Sequence, residues 1–213
     1  YVNSRRIGRA VHTVVAFPES GEEPYLPTWP ETLNLWDCES EITELQVRAL
    51  FEELRTQNLA VIEELELHDF IPSAVDVDYQ PNGSFSVSEG LFVDCQNFFE
   101  PNIPSLPGYL SVISFDVTND ISLGAATILG RGGEVYASHE NLYVAVKDGG
   151  LYSGYYDYSG LSERTILHKF GLASGGMPPV YRASGEVPGR LINQFAMDEH
   201  EGRLRVATTE GYL

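Results

Sequence analysis

The chain has 213 residues, 43% of them hydrophobic, with 31 acidic residues against 13 basic ones and a formal net charge of −18. That length supports one large domain or two modest ones with a real core. So negative a chain repels phosphate backbones, which argues against nucleic-acid and anionic-membrane partners, and no apolar run reaches the roughly 18 residues of a helical membrane span.

Residues 1–17 read as a strand–turn–strand hairpin: YVNSR, a turn at Ile7–Gly8–Arg9, then AVHTVVAF. The strand-like opening at Tyr1 and the stop at TTEGYL both read as cuts in a longer polypeptide, so a missing export signal carries no information. Pro18–Pro30 is a loop rich in Pro, Glu and Gly. Across Glu39–Phe70 the pattern changes. Ile42, Leu45, Ala49, Leu50 and Leu54 fall near helical spacing, and Leu59, Ile62 and Leu65 continue it beyond Gln57–Asn58. One helix or two are expected, capped by Ser40 or Asp37, stopped by Pro72, and acidic on the outer face. Between Glu19 and Asp69 there are 14 acids and two bases, a net of −12. The simplest reading of that excess is a solvated face.

From Ser73 onward every signal is β. Asn82–Gly83 predicts a type I′ hairpin turn joining SAVDVDY to SFSVSEGLFV. Tyr109–Val117 is apolar on both faces, as an inner strand requires. Further strands are expected at Gly124–Leu129, Glu134–Ser138, Asn141–Lys147, Arg164–Leu172, Val180–Glu186, Leu191–Met197 and Arg203–Thr209. Many short strands with regular turns mean a sandwich, barrel or propeller. An internal repeat favours the propeller: HENLYVAV (His139–Val146) and HEGRLRVATT (His200–Thr209) place Leu142 and Leu204 62 residues apart.

Tyr181–Thr209 (YRASGEVPGRLINQFAMDEHEGRLRVATT) resembles the signature segment of a family of secreted β-propeller proteins distantly related to WD40 propellers. YVNSRRIG, FVDCQNFFEPNIPSLPGYLSVISFDV, GGEVYASHENLYVAV and TILHKFGL fit the same family in order, with the VPG-x-x-x-NQF-x-MDE run the most specific. Two positions depart from its pattern: an aromatic is expected at His200 and an acid near Asn3. The resemblance implies a prokaryotic, exported protein of poorly defined activity. The expected fold is mainly β, a partial β-propeller of antiparallel blades over 1–213 with one acidic α-helical insertion at 18–70. Outside that insertion 160 residues remain, enough for three to four blades at about 40–50 residues each. Open sheet edges would then pair with the remainder of the chain or another subunit.

Few residues point to chemistry. GxSxG, HExxH, P-loop and dinucleotide fingerprints are all missing from the sequence. Asp76-x-Asp78-x-Gln80-Pro81-Asn82-Gly83 has its glycine two places late for a calcium loop and reads as a hairpin with polar edges. Asp198, Glu199, His200 and Glu201 crowd a turn, where such residues collect with or without a metal. His168 shares a strand face with Ile166 and Phe170, as a core histidine bonded to backbone would, while Lys169 faces solvent beside Thr165 and Leu167. A buried arginine at Arg5 or Arg6 could tie one blade to the next through a carboxylate such as Asp198. Tyr152, Tyr155, Tyr156 and Tyr158 in GLYSGYYDYSG form a candidate recognition loop for carbohydrate or protein, with packing on an outer strand as the plainer reading. Cys38 and Cys95 either pair, closing a loop of 56 residues and stabilising the fold by about 4 kcal/mol, or remain buried thiols.

No cofactor, metal ligand or catalytic residue is assigned. The expected role is a non-enzymatic extracellular scaffold or binding module of a cell-surface assembly. Two alternatives stand beside it. One is a propeller hydrolase or lyase with carboxylates or a metal in a central channel; the other is a structural subunit of a larger complex or filament.

Overall fold

The computed structural model describes residues 1–17, 26–34, 42–66, 69–103, 108–118, 123–148, 163–173 and 175–210. They fall into two compact units, Tyr1–Ser20 with Leu91–Leu213, and Gly21–Gly90. The chain starts with an antiparallel hairpin of β1 (Asn3–Ile7) and β2 (Ala10–Phe17), turned at Gly8 with its φ of 60°.

The Gly21–Gly90 unit comes next in the chain, carrying the helix and a hairpin expected among the propeller strands. Helix α1 (Glu44–Glu64) is continuous through Gln57–Asn58. Its cap is Thr43 rather than Ser40 or Asp37: Thr43 Oγ1 accepts from Gln46 N, and Gln46 Oε1 accepts from Thr43 N at 2.8 Å. That reciprocal pair satisfies two orphan donors of the first turn, which a cap further upstream would not reach. Strands β3 (Ser73–Tyr79) and β4 (Phe85–Leu91) follow as a two-stranded sheet. Their turn is not type I′. Gly83 N donates to Gln80 O at 2.9 Å, so Pro81 and Asn82 are the central residues, and the proline ring holds φ negative where type I′ needs it positive. Only Gly83, at φ 85°, takes the left-handed conformation.

The chain re-enters the first unit through a 3-10 turn at Cys95–Asn97 and the short β5 (Phe98–Phe99). Strands β6 (Tyr109–Asp116) and β7 (Gly124–Leu129) then complete a five-stranded sheet ordered β1-β2-β6-β7-β5. Only β5, parallel to β7 over two residue pairs, breaks the antiparallel pattern among the described strands. Because Phe17 pairs with Tyr109, the departure and return of the chain lie side by side. The first sheet therefore tolerates an insertion between its second and third meander strands.

The second sheet is a meander of β8 (Glu134–Ala137), β9 (Asn141–Asp148), β10 (Arg164–Gly171) and β11 (Val180–Pro188). A third, two-stranded sheet pairs β12 (Met197–His200) with β13 (Arg203–Val206). A strand was expected over Leu191–Met197. Instead Asn193 caps a 3-10 turn at Gln194–Ala196, its Oδ1 accepting from Phe195 N at 2.9 Å, and the strand starts at Met197. The two repeated segments hold similar places, with His139–Glu140 between β8 and β9, and His200 ending β12 with Glu201 in the turn to β13.

Two cores bind the three sheets. Val14, Leu110, Val112, Ala126 and Ile128 from the first sheet pack against Val135, Leu142, Val144, Val146 and Phe170 from the second. Tyr143 and Ala145, alternating with those residues on β9, form the other core with Met197, Leu191, Leu204 and Val206. Leu142→Ala, at a site with no solvent exposure, is expected to cost about 3 kcal/mol. Thr43→Ala should cost only about 1 kcal/mol. Urea unfolding followed by far-ultraviolet circular dichroism checks both, and a smaller loss at Leu142 than at Thr43 would contradict the packing described.

Candidate functional site

The richest polar constellation of the described residues lies where the third sheet meets the second. Strand alternation sends Glu199 of β12 inward and leaves Asp198 and His200 outside. Glu199 Oε2 accepts from Ser138 Oγ at 2.5 Å, and Glu199 Oε1 accepts from Asn141 Nδ2 at 2.9 Å. The backbone N of Glu199 donates to Tyr136 Oη at 2.9 Å. Lys169 Nζ stands 4.0 Å from the carboxylate and 5.4 Å from the centroid of the Tyr143 ring.

These neighbours set the protonation states. Burial alone would raise the Glu199 carboxyl. Hydrogen bonds from Ser138, Asn141 and Tyr143, with the Lys169 charge, more than offset it, so the group sits below the ordinary carboxylate range. Burial, followed by the Glu199 charge, pushes the Tyr143 phenol far upward. Glu199 is thus a fixed anion joining two sheets. Lys169, expected toward solvent, lies against the third sheet with Thr165 and Leu167, because that face of β10 is covered.

Arg5 performs the matching task between the first and second sheets. Paired with His12 across the β1–β2 ladder, it faces the same way as His12 and Val14. Its Nη2 donates to the backbone O of Val135 at 2.8 Å and to Gln194 Oε1, while Nη1 donates to Asn3 Oδ1 at 2.5 Å. The expected bridge between sheets is there, but its acceptors are two backbone carbonyls, of Ser4 and Val135, and two amides. Asp198 is engaged elsewhere, opposite Arg205 on the β12–β13 ladder and ion-paired with it. Arg6 is exposed and donates to Gly8 O at 3.0 Å.

Two histidines lie in the first core. His12 Nδ1 is 2.7 Å from Ser114 Oγ. His168 has no solvent exposure; its Nδ1 lies 3.4 Å from Tyr181 Oη rather than at a backbone group, and its Nε2 has no hydrogen-bond partner among the described residues. A buried nitrogen without an acceptor cannot hold a proton cheaply. Burial accordingly pulls His168 down to about 4, and His12 moves the same way.

Other expected site residues are not gathered here. Tyr152, Tyr155, Tyr156 and Tyr158 lie outside the described residues, as does Cys38. Cys95 is an exposed free thiol on its 3-10 turn, not a buried one. Ser138, Asn141, Tyr143 and Gln194 were not anticipated, although Ser138 and Asn141 bracket the His139–Glu140 turn that the repeat picks out.

The depressed histidine values give a signed pH dependence. Folded His168 stays neutral while the unfolded residue protonates near 6.5, so its contribution is complete above that pH and is lost as pH falls toward about 4. Glu199, also lowered, contributes stability that is present above its unfolded value and is lost as pH falls through its depressed folded one. Thermal midpoints between about pH 7 and about pH 5 should fall for the native chain and fall less for His168→Leu. An equal fall in both would assign the effect to other groups.

Among the described residues no helix is long and apolar enough to cross a membrane. The sequence matches the family model described as Beta propeller domain over residues 1–212. Comparison with curated proteins and with solved structures gives no match. Antiparallel sheets packed face to face in succession, pinned by Arg5 and Glu199, agree with that match over almost the whole chain, and the chain belongs to the beta propeller domain family.

Proposed function

We propose that this chain is a non-enzymatic, exported scaffold or binding module of a cell-surface assembly. The observation that carries the reading is the commitment of Glu199, the carboxylate with the richest polar surroundings. Both of its oxygens accept hydrogen bonds from the neighbouring sheet. A catalytic carboxylate has to keep a lone pair or a proton available to substrate; this one holds sheets in place. Propellers support many activities on one architecture, so the argument rests on the use of the polar groups and not on the fold.

In this reading the sheets form a rigid platform. Strands β1 and β13 lie at sheet edges, where the remainder of the polypeptide or another subunit can pair. The Tyr152, Tyr155, Tyr156 and Tyr158 loop would take carbohydrate or protein. The test is made in the cells that encode the chain, using an epitope tag. Protease added to intact cells should remove the tag, and a short crosslinker should join the chain to other surface proteins. A tag protected until lysis would overturn export, and a chain that crosslinks to nothing would overturn the scaffold role.

A further inference from the structure

Helix α1 is unusual for its length. Of its 21 residues only Leu54 is buried. Helices take most of their stability from packing an apolar face, and a mostly uncovered one is marginal by itself. The uncovered face is shaped. Phe51, Leu54, Arg55, Asn58, Leu59 and Ile62 follow helical spacing and form one wall of a groove of about 490 Å³, with Leu26–Thr28 as the other. The walls are fixed together: Asn58 Nδ2 donates to Pro27 O at 2.9 Å, and Trp29 meets Phe51 edge to face at 5.3 Å. Leu59 is 44% exposed and Ile62 46%, so the groove lies open on the helix side.

Charge narrows the occupant. Gly21–Gly90 holds 16 acidic residues and two basic ones, a net of −14 of the chain's −18. Both basic residues are already paired, Arg48 with Glu44 at 2.8 Å and Arg55 with Glu52 at 3.5 Å. Glu52 and Glu63 directly follow Phe51 and Ile62, about 100° further round the helix, and so border the apolar wall. A second copy would bring the same negative rim and be repelled. The other basic residues of these 213, 13 less two, lie outside helices.

We propose that this groove docks a basic amphipathic helix of a separate protein chain. Its apolar residues would lie at i, i+3, i+4 and i+7 along the Phe51–Ile62 wall, and its lysines or arginines would face Glu63 and compete with Arg55 for Glu52, a pair that is long at 3.5 Å and exposed. The proposal rests on the scaffold reading and names the chemistry of one partner.

The probe is a labelled synthetic peptide of about 18 leucine and lysine residues with leucines at helical spacing, titrated against the full chain by fluorescence anisotropy. The control is a scrambled isomer of equal composition and charge. The patterned peptide should bind at least about tenfold tighter than the scrambled one, with affinity falling as salt rises. Leu59→Ser with Ile62→Ser should weaken it about tenfold while circular dichroism reports an intact fold. Glu52→Gln with Glu63→Gln, which removes no apolar contact, should weaken binding and flatten its salt dependence. Equal binding of the two peptides would reduce the effect to bulk charge and overturn the proposal, as would indifference to both double variants. Neither result bears on export or surface crosslinking, so the two readings can fail separately.

Discussion

Everything in the larger unit depends on β9 being buried on both faces. Leu142, Val144 and Val146 point into one core and Tyr143 and Ala145 into the other, so a five-residue run serves two sheet interfaces at once. A strand so placed cannot alternate apolar with polar residues, and it reads as a continuous apolar stretch. Its neighbours must also come close. A Cβ on Gly133, just before β8, would lie 2.0 Å from the carbonyl O of Ala145, so glycine there lets the chain pass against β9. A one-residue slip of β9 would keep apolar residues on both faces but exchange Tyr143 with its smaller neighbours. Volume and shape, not polarity alone, must therefore fix its register.

Hydrophobic faces do not by themselves fix how one sheet sits on the next, because dispersion and burial have little direction. The directional information comes from two polar groups at the sheet interfaces. Arg5 spans from β1 to the Val135 carbonyl of β8 and to the Gln194 amide in the 3-10 turn that leads into β12. Glu199 does the same for the third and second sheets through Ser138 and Asn141. Each is an ion in a partly desolvated place with several hydrogen bonds, the arrangement in which a charge is tolerated. His168 is the counterexample. Its Nε2 has no partner among the described residues, so the first core holds a polar atom in neutral form and loses stability in acid.

The strands were legible because Gly, Asn and Asp punctuate them and because apolar residues recur with the right period. Gly124–Leu129 was read with its observed bounds, and most others to within a residue or two. Errors came where local chemistry offered two solutions. Thr43 and Gln46 make a better cap than Ser40 because they bond reciprocally. Pro81 overrides the turn preference of Asn82–Gly83 by fixing its own φ. Asn193 starts a 3-10 turn in a stretch whose apolar residues suggested a strand. Inter-sheet partners were the hardest to see. Arg5 and Gln194 are 189 positions apart, and nothing local to Arg5 distinguishes an amide from a carboxylate as its partner. The histidine–glutamate repeat came nearest, since its turn in the second sheet is bracketed by the residues that hold Glu199.

The two units distribute charge and burial in opposite ways. Outside Gly21–Gly90 the net charge is only −18 less −14, or −4, and the strands of the second sheet are closely packed. Inside it the net charge is −14, one helical residue is buried, and no residue of β3 or β4 is. Charge repulsion within a poorly buried segment opposes its compaction, so such a sequence is poorly explained by self-sufficient stability. Its position explains how it is tolerated: the rings of Phe17 and Phe92, which flank the insertion, meet at 5.5 Å, and the first sheet is built from strands on either side of it. An insertion anchored this way adds little strain to its host, since loop-closure entropy grows only slowly with length. Its own surface is then free to answer to a different constraint. An apolar groove beside an excess of acids is stable in water only to the extent that burial of its wall, or of whatever occupies it, outweighs the repulsion of the charges around it.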